Sequence, residues 1–142
     1  MSKSRIPWDI VGVVSAGGVI GALSRFAIAS AWPHTATGFP WATFTVNVTG
    51  CLLIGVLMVA VNEVWPSRRL LRPFLGTGVL GGFTTFSTAM VDPQHLLDRQ
   101  AVGTAFAYLA GTAVAALAAV LAGTTLARAS VELARLRREQ RS

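Results

Sequence analysis

The chain has 142 residues, enough for one domain. It is 53% hydrophobic and 13% charged, against about 25% charged in an ordinary soluble domain. Its formal net charge of +6 is gathered in short stretches between long apolar runs, where cations orient a membrane protein and do not form a nucleic-acid footprint.

A helix needs about 20 apolar residues to cross hydrocarbon. Four segments meet that length, at about 10–32, 41–64, 72–90 and 101–127. They predict an all-α membrane protein of four transmembrane helices. Trp8, Trp32, Trp41 and Trp65 stand at the span edges, as interfacial aromatics do. The first span carries Gly17, Gly18 and Gly21, small residues that let helices approach closely. It is too long for the apolar region of a cleaved leader. It also carries Arg25, which either snorkels to the outer interface or attracts anions near a pore mouth.

After a link holding Pro33, His34, Gly38 and Pro40, the second span carries Thr43 and Asn47 one turn apart, on one helix face. Asn47 needs partners in hydrocarbon. It serves either as an interhelical hydrogen bond or as a donor facing an anion path. Gly50 and Gly55 add small faces. Cys51 is the lone cysteine, so no intrachain disulfide forms, and it reads as a small packing residue.

The third span holds Gly76, Gly78, Gly81 and Gly82, then Phe83-Thr84-Thr85-Phe86-Ser87-Thr88. Two glycines and four hydroxyl residues among the eight from Gly81 to Thr88 are an odd choice for hydrocarbon. Irregular backbone there is tolerated only inside protein or against a wet cavity. The segment therefore predicts a helix broken between Gly81 and Thr85, and a candidate ion site. Phe83 and Phe86 are either core residues or rings whose positive edges meet an anion.

A link from Val91 to Gln100, carrying Asp92-Pro93 and His95, is expected before the fourth span. That span shows an i, i+4 row of Ala107, Gly111, Ala115 and Ala119 for packing. Tyr108, Thr112 and Ala116 follow one face and supply hydroxyl donors at the first two positions. Residues 1–128 thus form the membrane domain, and 129–142 a basic helical tail outside it.

Ten of the twelve basic residues fall on one side: Lys3, Arg5, Arg68, Arg69, Arg72, Arg128, Arg135, Arg137, Arg138 and Arg141. Only Arg25 and Arg99 belong to the other. The positive-inside rule places both termini in the cytoplasm. Catalytic chemistry has no foothold. His34 and His95 lie in links without metal-ligand spacing, and neither a nucleophile–base arrangement nor a phosphate loop occurs. No Asp, Glu, Lys or His sits centrally in a span, which argues against a proton-coupled carrier such as a small multidrug-type cation exporter.

Three stretches together resemble the Fluc/CrcB family of fluoride channels. They are Gly17 through Phe26, Pro40 through Cys51 around Val46-Asn47, and Gly78 through Thr88. The resemblance implies a passive, fluoride-selective channel in the plasma membrane, built as an antiparallel dimer of four-helix subunits. It implies a structural sodium ion at the dimer interface, held by the backbone carbonyls of Gly81 and Thr84, ligands that suit a hard cation. It makes Asn47 the pore asparagine, Phe86 the first pore phenylalanine, and Tyr108 and Thr112 a hydroxyl track. Thr43 and Phe83 join them on the expected anion path, and Arg25 is vestibular or structural. Two positions depart from the pattern. Ala89 stands where a second pore phenylalanine is expected, and Ala116 where a third hydroxyl is expected. Together with the charge bias, these point to one half of a pair with a paralogous chain of opposite orientation. A non-conducting structural or regulatory subunit is the alternative.

Overall fold

The computed structural model describes residues 7–33 and 35–140. Lys3, Arg5, His34 and Arg141 lie outside the described residues. Among those described, every regular element is helical. Helix α1 is Trp8–Ala31. Helix α2 is Trp41–Val59, prolonged by wide i→i+5 turns over Ala60–Val64. Helix α3 winds in the same wide turns over Pro73–Leu80 and closes in one α-turn, Gly81–Phe83. Helix α4 is Ser87–Asp98 and α5 is Val102–Glu139. With α3 and α4 taken as one broken span, Pro73–Asp98, four helices among the described residues are long and apolar enough to cross a membrane.

The helices pair chiefly as α1 with α3 and α2 with α5, while α4 lies along α5. Lipid tails are as apolar as the helices, so pairing depends on close van der Waals fit. Glycine supplies it in both pairs. A Cβ on Gly17 would sit 2.6 Å from Phe74 O, and one on Gly78 would sit 3.0 Å from Gly17 Cα. A Cβ on Gly55 would sit 2.5 Å from Val120 O, and one on Gly123 would overlap Leu52 O. Of the expected packing row on α5, only Ala119 is fully buried. The buried residues of α5 are Ala105, Tyr108, Ala119 and Gly123, whereas Gly111 faces open space. Small residues occur all round α5, so spacing alone does not select a face. The Gly55–Gly123 contact does.

The third span is interrupted, but not by its glycines. Gly81 is helical, with φ −65° and ψ −36°. The chain leaves the helix at Thr84, whose φ −74° and ψ 157° are extended, and it resumes at Ser87. The glycines instead seat α3 on α1, where a Cβ on Gly82 would overlap Gly18 O.

Asp92-Pro93, expected in a link, lies within α4, and Pro93 is buried. Restarting the helix at Ser87 puts Pro93 in its second turn. The cost of a missing backbone donor there, about 3 kcal/mol in a helix interior, is offset by packing along α5. The turn comes later, at Gln100, whose φ of 59° lies in the left-handed region. Gln100 N–H donates to Leu97 O and Ala101 N–H to Leu96 O, both at 2.9 Å.

Helix α5 does not stop at the expected span end. Its 38 residues extend about 57 Å at about 1.5 Å each, against about 30 Å of hydrocarbon. The basic tail is therefore the continuation of α5. Arg135 Nη2 lies 3.7 Å from Glu63 Oε2 at the end of α2. Arg69 Nη2 lies 3.6 Å from Asp9 Oδ2 at the start of α1. These water-exposed pairs contribute at most about 1 kcal/mol each. They do place the start of α1, the middle link and the α5 extension at one end of the bundle.

Candidate ion pathway

The break over residues 84–86 is held from two directions. The α3 end is closed by Thr84, whose N–H and hydroxyl both donate to Leu80 O at 2.9 Å. Thr85 N–H donates to Asn47 Oδ1 at 2.9 Å, and Asn47 Nδ2 donates to Thr85 O at 3.0 Å. Asn47 thus satisfies both backbone groups of a residue that has no helical partners, as burial requires. Because one partner is a donor and the other an acceptor, the amide orientation is fixed. An asparagine amide carries two N–H donors. One goes to Thr85 O, and a second remains. The start of α4 is capped by the Thr85 hydroxyl, which accepts from Thr88 N–H at 3.2 Å and donates to Thr88 Oγ1 at 3.1 Å. Acceptance from the N–H three residues on is the contact a helix N-cap makes.

These diversions free two carbonyls. In an unbroken helix Gly81 O would accept from Thr85 N–H, and Thr84 O from Thr88 N–H. Here the first donor goes to Asn47 and the second to the Thr85 hydroxyl. The carbonyls of Gly81 and Thr84 are left without their helical donors, a donor set of neutral oxygens that fits a hard cation.

Two cavities flank the break. One, of about 260 Å³, is lined by Arg25, Phe26, Thr43, Thr85 and Thr88 among others. The other, of about 390 Å³, is lined by Asn47, Phe86, Ala89, Tyr108, Thr112 and Ala116 among others. Thr85 is the residue common to both linings. Arg25 forms no ion pair among the described residues; it faces the first cavity. Thr43 shares that cavity, whereas Asn47, one turn on in α2, lines the second. Asn47 is drawn towards Thr85, on the side of the second cavity. Phe83 lines neither cavity. It is half-buried, and a Cβ on Gly50 would lie 3.5 Å from its Cδ1.

The second cavity gathers most of the candidate residues. Tyr108 is wholly buried, and Phe39 meets it edge-on, ring centroids 5.4 Å apart at 74°. Tyr108 Oη and Thr112 Oγ1 are buried and have no hydrogen-bond partner among the described residues. Asp92 Oδ2 is in the same condition, a buried acceptor concealed from sequence reading by the expectation of a link. Unpaired buried polar groups cost about 1–3 kcal/mol each, so such groups mark places where a ligand or partner completes the bonding. Phe86 lines this cavity with 79% of its surface exposed. Ala89 is buried on the same wall, where its small side chain leaves room. Sequence reading missed Thr85. The signal was present, since a buried Asn and a broken backbone both lack partners and each can supply the other's.

Residues 12–124 match the family described as CrcB-like protein, Camphor Resistance (CrcB). The chain belongs to the CrcB family. The match runs from α1 almost to the water-exposed extension of α5, so both cavities lie wholly inside the CrcB region. Curated relatives agree. The chain is 57% identical to "Fluoride-specific ion channel FluC 2" of Streptomyces avermitilis over 78% of its own length and 73% of the relative's. It is 55% identical to "Fluoride-specific ion channel FluC 2" of Nocardia farcinica over 89% and 90%. It is 54% identical to "Fluoride-specific ion channel FluC 1" of Streptomyces coelicolor over 89% and 85%. A CrcB chain of this size has no catalytic step to perform; its chemistry is that of a lined path.

Proposed function

We propose that this chain is a subunit of a fluoride-selective passive channel in the plasma membrane, which lets fluoride leave the cytoplasm. The observation that carries the reading is the second cavity, where the Asn47 amide, the Tyr108 and Thr112 hydroxyls and the Phe86 ring converge. Fluoride is small and strongly hydrated. A selective path must replace its water with donors and the positive edges of rings. A fixed cation deep in the path would hold the ion too long, because conduction needs binding weak enough to leave. Arg25 stands in the other cavity, where it can raise the local anion concentration without trapping the ion. The family relationship sets aside the multidrug-type exporter, which size alone kept in view.

Gly81 and Thr84 supply the carbonyls for a structural sodium ion. When bound, that ion offsets the partial negative charge of two carbonyls that lack helical donors. A second subunit in antiparallel arrangement covers the open side of the cavity, where Phe86 is exposed. The basic end faces the cytoplasm by the positive-inside rule, which fixes both termini inside. So strong a bias suits a chain of one orientation, paired with a paralogue of the opposite one. Streptomyces avermitilis supplies relatives named FluC 2 and FluC 3, at 57% and 40% identity, so paralogues coexist in one genome.

Fluoride efflux from liposomes holding the chain, alone and with a paralogue of opposite charge bias, tests the reading. Flux is expected in at least the paired case. Its absence in both would end the channel assignment. Ala89→Phe tests the incomplete pore. The cavity beside Ala89 has room for a ring, and one aromatic contact is worth about 0.5–1.5 kcal/mol, so flux of the chain alone should rise by up to about tenfold. A variant that assembles but conducts no better than the parent would remove Ala89 as the cause.

A further inference from the structure

Thr85 belongs to neither set of residues assigned above, yet both depend on it. Its N–H and C=O hold Asn47 Oδ1 and Nδ2 at 2.9 and 3.0 Å. Its hydroxyl accepts from Thr88 N–H at 3.2 Å. It lines both cavities and is buried. Two of these hydrogen bonds, Thr85 N–H to Asn47 Oδ1 and Thr88 N–H to the Thr85 hydroxyl, each remove a competitor from a carbonyl of the candidate cation site.

We propose that Thr85 is a positioning residue coupling the cation site to the anion path: its N–H, drawn to Asn47, releases the Gly81 carbonyl, and its hydroxyl, drawn under Thr88, releases the Thr84 carbonyl. The same backbone bonds set the Asn47 amide so that its second N–H is available to the second cavity. The inference rests on Gly81 and Thr84 being cation ligands. A carbonyl that already accepts an amide proton is a poorer cation ligand, because the N–H dipole occupies its negative end. Without the Thr85 hydroxyl, Thr88 N–H regains Thr84 O four residues back, and α4 grows by one bond at the expense of the cation site.

The test is the sodium dependence of thermal unfolding of the purified assembly, with sodium chloride replaced stepwise by N-methylglucamine chloride. A cation that binds only the folded form raises the melting temperature with concentration. Thr85→Val keeps the shape and removes the hydroxyl. It should raise the sodium midpoint about tenfold, the scale of one hydrogen bond competing for one carbonyl. Thr85→Ser restores the hydroxyl and should stay within about twofold of the parent. If the valine variant does not assemble, Thr85→Ala removes the hydroxyl with no branched methyl and gives the same reading. A helix cap of purely structural importance would lower the melting temperature at every sodium concentration and leave the midpoint in place. An unshifted midpoint in a parent that responds to sodium overturns the role of Thr85 alone. A parent with no sodium response overturns the cation site and this inference together. Fluoride efflux by that same parent reports separately on the channel reading.

Discussion

Gly21→Val is expected to prevent assembly of the subunit. A Cβ at this position would overlap Val79 O, and would lie 2.7 Å from Phe83 N and 3.0 Å from Gly82 C. All three atoms are backbone, so no side chain can turn away. Helix α1 would have to back off α3 along the seam where Gly17 meets Gly78 and Gly18 meets Gly82. Overpacking that side chains can absorb costs about 1–3 kcal/mol. A clash with three backbone atoms of the facing helix, which no rotamer can relieve, should exceed that, against a total stability of about 5–15 kcal/mol. The measurement is the yield of monodisperse protein in detergent and its melting temperature. Gly111→Ala is the control, because a Cβ there meets nothing within 4 Å and should change stability by less than about 0.5 kcal/mol. A valine variant with the parent's elution, melting temperature and flux would show that α1 and α3 are not packed as described.

Asn47→Ala is expected to damage conduction and stability together. The substitution leaves Thr85 N–H and C=O without partners in a buried position. Each orphaned group costs about 1–3 kcal/mol. Part of that cost can be recovered if Thr85 N–H swings back to Gly81 O and partly reseals the helix. Resealing would take a carbonyl from the cation site, so the escape route itself harms the channel. The lost amide donor adds a direct effect. A hydrogen bond to a charged partner is worth about 1.5–3 kcal/mol, which corresponds to about a 10- to 150-fold fall in fluoride flux. Asn47→Asp separates the two contributions. It keeps an acceptor for Thr85 N–H but sets a carboxylate oxygen against Thr85 O and a negative charge beside the path. Flux should vanish in any Asp variant that still assembles. An Ala variant that conducts at the parent's rate would place the path elsewhere.

The parts of this protein that sequence reading found are those governed by solvent. Span number, tryptophan edges and the gathering of cations at one end follow from the preferences of single residues for hydrocarbon or interface, and those need no knowledge of neighbours. Reading went astray where neighbours decide. Asp92-Pro93 looks like a link because Pro removes a donor, yet α4 runs through it, since the chain has restarted its helix only six residues earlier. The glycine pair looks like the break because glycine permits unusual backbone, yet Gly81 is helical, the chain departs only at Thr84, and Gly82 spends its missing side chain on contact with α1. Of the expected α5 packing row only Ala119 is fully buried, because alanine and glycine occur on every side of that helix and spacing alone selects no face. Asn47 was recognised as a residue needing partners, but the partner's identity lay 38 positions along the chain.

The sequence by itself determined that this is a four-span membrane protein with a polar interruption in the third span. It also determined which residue types could line an anion path, because each follows from the transfer energy of side chains and backbone out of water. Only the tertiary structure decided where the third helix opens, that Asn47 and the Thr85 hydroxyl take the amide protons that would have closed it, and that Thr43 and Asn47 serve different cavities. Those outcomes depend on which donors and acceptors meet across helices. A hydrogen bond formed 38 residues apart outcompetes one formed four residues apart only when packing has already brought its partner into place.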